Sequence, residues 1–292
     1  MPDTYLVGYG HGSASEAAVR FALRLAAPVH AEVIAAHVLA EQLGPGHWAD
    51  ARARAETLLH GLDGLVGDRR VVEGPTAHGL HDLAIDVGAS LLLVGATHRG
   101  AFGRMVPGSV GERLIHASPC PLAIVPEQDD HPLTHVAVAV DDREPSRTAL
   151  RLACAIAQQH QAELVLLSVE EPVLTLGDRL LRAGEHAPGR AAGPAAVDDV
   201  LASARALIPA GLVVTVRPLS GPAGPALVNA CAEDVDLLVA GSRGYGPVHS
   251  VLVGGVARHL TDHAPCPVIV VPRIHEPGRR HWSDADSAAA AT

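Results

Sequence analysis

The chain has 292 residues, a formal net charge of −10 and 48% hydrophobic residues, yet only 2% of its residues are aromatic. Such a chain suits two domains with aliphatic cores and argues against extensive disorder. Its acidic balance argues against a nucleic-acid partner, which would need a basic face. All 22 basic residues are Arg. This excludes a Walker A loop, Schiff-base catalysis and protein kinase activity, because each needs a Lys.

The sequence contains no signal for targeting, membrane insertion or redox chemistry. It opens with Met1-Pro2-Asp3, without a basic or apolar leader. No apolar run approaches the length of a membrane span. The four cysteines form no C-x-x-C pair. We therefore expect a reducing, cytoplasmic setting without a membrane partner.

The first half begins with an apolar strand at residues 5–8, followed by a loop and a helix from Ser15. The loop is close to a G-x-G-x-x-G dinucleotide fingerprint, but Ser13 holds the last position. We interpret it as a flexible loop at the mouth of the first domain. Further on, the strand Leu91–Gly95 leads through Gly108 to the strand Leu122–Val125.

The second half repeats this order of elements. Residues 135–138 match residues 5–8, and Ser146 aligns with Ser15 at an offset of 131 residues. Gly221-Pro222 aligns with Gly74-Pro75 at an offset of 147, and the final strands are 146 residues apart. The increase from 131 to 147 places an insertion of about 16 residues within 172–196.

The second copy alternates apolar strands with helices. We predict strands near 135–140, 163–169, 212–217, 236–240 and 268–271, and helices near 146–159, 197–208, 222–234 and 255–263. Ser146 is the predicted N-cap of the first of these helices. Continuously apolar strands indicate that both sheet faces are covered by helices.

The predicted fold is therefore α/β, with two tandem doubly wound domains. Each is a Rossmann-like, five-stranded parallel sheet of strand order 3-2-1-4-5. The predicted domains span residues 1–127 and 133–273, and a short acidic linker joins them. Residues 274–292 are predicted to form a disordered tail.

A glycine-rich loop follows the fourth strand of the second copy. Gly241 ends the strand, Gly244 and Gly254 follow, and a helix begins near Gly255. Glycines let a backbone approach an anion, and a helix N-terminus adds N–H groups and a favourable dipole. Gly241 alone is more typical of a turn, whereas the full spacing favours a phosphate loop. Asp141 follows strand one, at the edge where ligands bind in such sheets; the alternative is a turn residue ahead of the next helix.

These residues resemble the motif of the universal stress protein family, G-x2-G-x9-G-[ST] followed by a P-V-x-V-V strand. The resemblance covers nearly all of residues 4–272. It implies binding of ATP, with Mg expected to accompany it, by the glycine loop and an Asp after strand one. The second copy keeps the Asp and three glycines but has Gly255 in place of the hydroxyl residue. The first copy has Gly10 and His98 in place of the Asp and the second glycine, so the second site is favoured.

The predicted nucleotide-binding residues are Asp141, Val169, Gly241, Gly244, Gly254 and Gly255 in the second copy, and Gly95, His98, Gly108 and Ser109 in the first. The resemblance also implies that Leu122–Val125 and Val268–Val271 pair across a pseudo-twofold axis, which would cover two exposed strand edges. The sequence leaves open whether two chains form a homodimer.

The function predicted from this resemblance is a cytoplasmic stress-response protein that binds ATP and signals to an unidentified partner. No catalytic base or nucleophile stands out, so the protein is not expected to be an enzyme, although slow ATP hydrolysis is compatible with the resemblance. The main alternative is a nucleotide-free adaptor or dimerisation module. A third, an electron-transfer or nucleotidyl-transfer enzyme, is also compatible with this fold class.

Two further residue groups have structural interpretations. The pairs His259/His263 and His78/His81 are predicted to be surface or cap residues rather than metal ligands. Cys120 and Cys266, each between two prolines, are predicted to be small apolar fillers.

Overall fold

The computed structural model describes residues 3–39, 47–96, 98–100, 104–106, 109–127, 131–170, 194–242 and 255–272. In these ranges the chain forms three layers, with one ten-stranded sheet between two layers of helices. The predicted tail, most of the insertion and most of the linker lie outside the described residues.

The first repeat contains five strands of the main sheet and a separate hairpin. The main strands are β1 (Thr4–Gly8), β2 (Glu32–Leu39), β3 (Asp68–Glu73), β4 (Leu91–Gly95) and β7 (Leu122–Val125). The hairpin pairs β5 (His98–Gly100) with β6 (Arg104–Val106). The helices are α1 (Ser13–Ala26), α2 (Trp48–His60), α3 (Thr76–Asp86) and α4 (Ser109–Ala117), with a 3-10 turn, Ala27–Val29, after α1.

The second repeat has the same order of main-sheet elements. Its strands are β8 (His135–Ala139), β9 (Glu163–Glu170), β10 (Val214–Ser220), β11 (Leu237–Gly241) and β12 (Val268–Val271). Its helices are α5 (Glu144–His160), α6 (Pro194–Ala206), α7 (Ala223–Asp234) and α8 (Gly255–His263). The predicted strands and helices of this half are all present, with small shifts at their ends.

The sheet order is β3-β2-β1-β4-β7-β12-β11-β8-β9-β10. Within this ten-stranded sheet, pairing is parallel inside each repeat and antiparallel only between β7 and β12. Each half therefore has the predicted order 3-2-1-4-5. The two fifth strands pair with each other, as the resemblance implied, and this pairing covers two edges that would otherwise be open.

Two apolar layers hold the helices to the sheet. One joins α1, α2, α5 and α6 to one face, and its members include Phe21, Leu59, Leu150 and Leu201. The other joins α3, α4, α7 and α8 to the opposite face, with Leu80, Leu114, Leu227 and Leu260. Each layer runs without a break through both repeats. Full burial of one such side chain stabilises the fold by about 1.5–3 kcal/mol.

The register corrects the sequence alignment of the first strands by one residue. Tyr5 pairs with Leu91 in the first repeat, and Val136 pairs with Leu237 in the second. Since Leu91 and Leu237 are the equivalent first residues of β4 and β11, Tyr5 corresponds to Val136 rather than to His135. The offset of 131 therefore holds from the first strand onward.

The predicted N-cap at Ser146 is wrong. Helix α5 begins at Glu144, with Arg143 as N-cap and Pro145 in the first turn. Proline is common in the first turn of a helix, because its fixed φ suits the helix and its missing N–H needs no partner there. The buried Ser146 hydroxyl instead accepts a hydrogen bond from the backbone N–H of Asp141, at 2.8 Å.

The outer edges of the sheet carry residues that discourage pairing with other chains. Strand β3 has Arg69 and Arg70, and β10 has Arg217 and Pro218. Charged side chains and a proline are common protections of edge strands. In the described part of the chain, no helix has both the length and the apolar character needed to cross a membrane.

Candidate functional site

Three of the residues predicted to bind nucleotide in the second repeat lie at one edge of the sheet. Gly241 ends β11, Asp141 follows β8, and Val169 is the second-last residue of β9. Strands β9, β8 and β11 are parallel neighbours, so their carboxyl ends meet at this edge. Helices α5 and α6 lie on one face and α7 and α8 on the other, which makes the gap between β8 and β11 the switch point.

Asp141 is held in a defined turn at this crevice. Its N–H donates to Ser146 Oγ at 2.8 Å, and its Oδ1 accepts from the N–H of Arg143 at 3.1 Å. The Arg143 guanidinium lies 4.0 Å from the other carboxylate oxygen. The side chain keeps 26% of its surface exposed. Asp141 is thus a turn residue, as the alternative interpretation proposed, and its carboxylate also remains accessible from the crevice.

Gly241 is required by close packing against α5. A Cβ at this position would lie 2.7 Å from the carbonyl carbon of Pro145. The equivalent Gly95 is tighter, since its Cβ would lie 2.2 Å from the carbonyl oxygen of Ala14. Real Cβ atoms do not approach backbone atoms so closely, so either substitution would displace a helix. The first glycine of the motif therefore has a packing function in both repeats.

The remaining predicted residues are only partly within the described ranges. Gly255 is the exposed first residue of α8, and Ser109 is the first residue of α4. Gly244, Gly254 and Gly108 lie outside the described residues. The structure thus places the start of α8 directly after the glycine-rich segment, as the sequence predicted.

His98 lies in a hairpin that the sequence analysis missed. It belongs to β5 and pairs with Val106 of β6. Strand β6 lies beside α8 of the other repeat. The two strands have three residues each, which is too short for a periodic sequence pattern. Strand β6 reaches α8 only because the two repeats pack against each other. The segment between β4 and α4 thus differs from a simple glycine loop.

The crevice of the first repeat has different polar groups from that of the second. Gly10 occupies the Asp141 position and donates its N–H to Ser15 Oγ at 3.1 Å, the same backbone bond as in the second repeat. His37 Nδ1–H donates to the carbonyl of Tyr9 at 2.8 Å. The Ser13 hydroxyl donates to the carboxylate of Glu127.

The His11 and His37 rings meet edge to face in the same crevice, with centroids 6.4 Å apart. His11 is the equivalent of Asp142, and His37 is the equivalent of Ser168, at the offset of 131. Neither His11 nor His37 was among the site residues predicted from the sequence. The alignment that paired Gly10 with Asp141 would have identified both of them as differences between the sites.

A cavity of about 220 Å³ opens beside Asp141, between α5 and α6. Leu150, Val200 and Ala204 form part of its apolar wall, and Asp142 and Asp199 are among its polar lining residues. The cavity extends the crevice toward the face of the sheet covered by α5 and α6.

The histidine pairs have structural partners. The His259 and His263 rings stack with centroids 4.2 Å apart, and His259 packs against Gly224 of α7. His81 Nδ1–H donates to the carbonyl of Ala117, the last residue of α4, at 2.6 Å. Across the described residues, no group of three or more His, Cys, Asp or Glu side chains could hold a metal ion.

The cysteine prediction is confirmed. Cys120, Cys154, Cys231 and Cys266 are all buried, and none of these four described cysteines forms a disulfide. Burial raises the pKa of the Cys120 thiol to about 11. Because the thiolate is the reactive form, Cys120 is poorly suited to nucleophilic chemistry.

Comparison with known proteins matches both halves of the chain to one family. The model of the universal stress protein family matches residues 1–126 and again residues 132–272. Universal stress protein Rv2319c of Mycobacterium tuberculosis is 24% identical over 294 residues, covering 92% of this chain and 99% of its own length. A universal stress protein of Thermus aquaticus is 33% identical over 137 residues, which is 47% of this chain and 96% of its own.

A solved structure has the same two-repeat architecture. The crystal structure of a universal stress protein from Archaeoglobus fulgidus aligns with a TM-score of 0.69 and 21% sequence identity. The alignment covers 94% of this chain and 99% of that one. At this identity the likeness supports the fold alone, over the aligned part of the chain.

Proposed function

The chain belongs to the universal stress protein family, and from that premise we propose that its second repeat binds ATP at the crevice between β8 and β11. We further propose that the bound state is signalled to a partner protein during stress. The role is binding rather than catalysis.

One observation carries the proposal: Asp141 presents an oriented, partly exposed carboxylate at the switch point of the second sheet. A carboxylate held by its own turn can accept hydrogen bonds from ribose hydroxyls with little further loss of conformational entropy. The first repeat has glycine at this position. The two crevices therefore differ most at the group that would recognise the sugar.

The residues around the crevice fit a nucleotide without a Lys. The start of α8 follows the segment that contains Gly244 and Gly254, and a helix N-terminus favours phosphate through its N–H groups and dipole. Asp141 would hold the ribose, and backbone N–H groups near Gly255 would hold phosphate. Mg would be bound chiefly by the phosphate oxygens, because ATP sites commonly hold this ion through few protein ligands.

The test asks whether the purified protein carries bound nucleotide and whether it binds added Mg-ATP. The protein is denatured, and the released small molecules are separated and quantified by chromatography. ATP or AMP at near one equivalent per chain supports one functional site. No released nucleotide, together with no thermal shift on adding Mg-ATP, would instead support the nucleotide-free adaptor.

A matched pair of variants assigns the site to one repeat. Gly244→Val places a side chain in the proposed phosphate segment of the second repeat and should abolish ATP binding measured by calorimetry. His98→Val changes the corresponding position of the first repeat and should leave most of the binding intact. The opposite ranking would contradict the assignment to the second repeat.

A further inference from the structure

The two repeats meet about a pseudo-twofold axis that the strand register locates. In the antiparallel pair of β7 and β12, Leu122 pairs with Val270, Ala123 with Ile269 and Ile124 with Val268. Equivalent residues in these strands are 146 apart. Ala123 and Ile269 are therefore equivalents that face each other, which places this pair on the axis.

A second pair of equivalents meets on the opposite side of the sheet. Glu112 of α4 and Arg258 of α8 are also 146 residues apart. Their side chains form an ion pair, with Arg258 Nη2 2.6 Å from Glu112 Oε1. Ala123 and Ile269 belong to the apolar layer under α1 and α5, whereas α4 and α8 pack on the other face. The axis thus passes through two separate contacts.

At both contacts the equivalent residues are unlike and complementary. One pair joins a negative to a positive side chain, and the other joins a small to a large one. If two first repeats paired with each other, the axis would hold Glu against Glu and Ala against Ala. If two second repeats paired, it would hold Arg against Arg and Ile against Ile.

Both like-with-like arrangements are unfavourable for physical reasons. Like charges placed directly opposite each other repel, and they would replace an attractive ion pair. Two alanines on the axis would leave a cavity in a packed layer. Two isoleucines would overfill a space that accommodates one large and one small side chain.

We propose that β7 with α4 forms a selective docking surface for β12 with α8. We call these the first and second axial surfaces. The axial residues make the two surfaces matched partners rather than interchangeable copies, and they disfavour pairing of first with first, or second with second, repeats between chains. The partner selected by the first axial surface is the second repeat.

The full-length chain allows a direct test, because single substitutions recreate the like-with-like pairs inside it. Glu112→Arg gives the Arg–Arg pair, and Arg258→Glu gives the Glu–Glu pair. Each should lower the equilibrium constant for folding roughly threefold to fivefold, as expected for a partly exposed ion pair. Ala123→Ile and Ile269→Ala give the Ile–Ile and Ala–Ala pairs, and each should lower it by roughly tenfold or more.

Double swaps separate selectivity from simple damage. Glu112→Arg with Arg258→Glu, and Ala123→Ile with Ile269→Ala, should each regain most of the loss of the two single variants. Urea unfolding followed by circular dichroism supplies the folding constants. Arg54→Glu on the exposed side of α2 is the control for an unrelated charge reversal and should change the constant less than twofold.

Salt adds a second readout for the charged pair. The coupling between Glu112 and Arg258 should shrink in 1 M NaCl, because salt screens exposed charges. The coupling between Ala123 and Ile269 should not shrink. The proposal is overturned if either double swap costs as much as the sum of its single variants, since the axial positions would then act independently.

Discussion

The two crevices of this chain have the same frame but different chemical groups. At three equivalent positions the first repeat has Gly10, His11 and His37, where the second has Asp141, Asp142 and Ser168. The first crevice thus exchanges two carboxylates for a glycine and an imidazole, and a hydroxyl for a second imidazole. The two repeats thus share the backbone arrangement around the crevice but differ in the polar side chains that surround it.

The shared frame extends to individual hydrogen bonds and backbone angles. Ser15 and Ser146 each accept the N–H of the residue five positions earlier. His30 and Gln161, 131 residues apart, both adopt the left-handed conformation, with φ of 52° and 55°. Because these features need only a hydroxyl or a tolerant turn residue, they survive wide sequence change.

The largest expected effect comes from breaking the common frame itself. Gly95→Ala and Gly241→Ala should each destabilise the fold by about 1–3 kcal/mol, because the new methyl group would overlap backbone atoms of α1 or α5. The Gly95 substitution should be at least as damaging, since its closest contact is 2.2 Å against 2.7 Å. Chemical denaturation of the purified variants measures both.

A glycine in the same crevice provides the control for this pair. A Cβ on Gly10 would meet only Ser15 Oγ, at 3.7 Å. Gly10→Ala should therefore change stability by less than about 1 kcal/mol. If Gly241→Ala were as well tolerated as Gly10→Ala, the packing function of the first motif glycine would be wrong.

The fold could be predicted because its signals are redundant. Continuously apolar strands such as Leu91–Gly95 and Leu237–Gly241 indicated a sheet covered on both faces. The internal repeat predicted one five-stranded sheet of this kind in each half. The N-cap at Ser146 was wrong because a serine near a helix start is also suited to bonding the preceding loop. The local sequence could not show whether the Ser146 hydroxyl bonds the helix or the preceding loop. In the folded chain the Asp141 N–H approaches this hydroxyl and forms the bond.

The site was less predictable because its polar contacts depend on packing between distant elements. The placement of Asp141 and Gly241 at the ends of neighbouring strands followed from the topology alone. The hairpin of β5 and β6 could not be inferred, because it lies against α8 of the other repeat. Likewise, nothing local connects Ser13 to Glu127, which are 114 residues apart.

An intermediate effect is expected from neutralising Asp141, the carboxylate that we propose binds the ribose in the second crevice. Asp141→Asn keeps an oxygen that can accept the Arg143 N–H, so the turn should persist. It removes the charge proposed to bind the ribose, and a hydrogen bond to a charged group contributes about 1.5–3 kcal/mol. We expect ATP affinity to fall by roughly tenfold to a hundredfold in calorimetric titration, with little change in thermal stability.

The neighbouring carboxylate tests whether the effect is specific. Asp142 is exposed and precedes the same helix. Asp142→Asn should change ATP affinity less than Asp141→Asn, because it lacks the bonded turn that orients Asp141. Equal losses in both variants would mean that general acidity, rather than the oriented Asp141 group, determines binding.

The smallest effect concerns the outer edges, where the repeats again differ. In the second repeat Arg217 of β10 forms a two-pronged pair with Asp234 at the end of α7, with N–O distances of 2.8 and 2.6 Å. Its equivalent in the first repeat, Arg70, bonds instead to Asp68 of its own strand. Only the second pair therefore joins a helix to the edge strand.

This difference predicts a small stability change that depends on pH. Hydrogen bonding by Arg217 holds the pKa of Asp234 below its ordinary value. The pair therefore stabilises the fold above about pH 4, and that contribution is lost as the pH falls through the lowered pKa. Asp234→Asn should lower the free energy of unfolding by less than about 1 kcal/mol at neutral pH, since the pair is partly exposed.

Denaturation at pH 7 and pH 3 measures this loss relative to the unmodified chain, and the loss should shrink at the lower pH. Asp68→Asn is the control. It should cost less than Asp234→Asn at pH 7, because Asp68 links no second element. An equal cost for both variants would mean that bridging a helix to the edge strand adds nothing beyond a local ion pair.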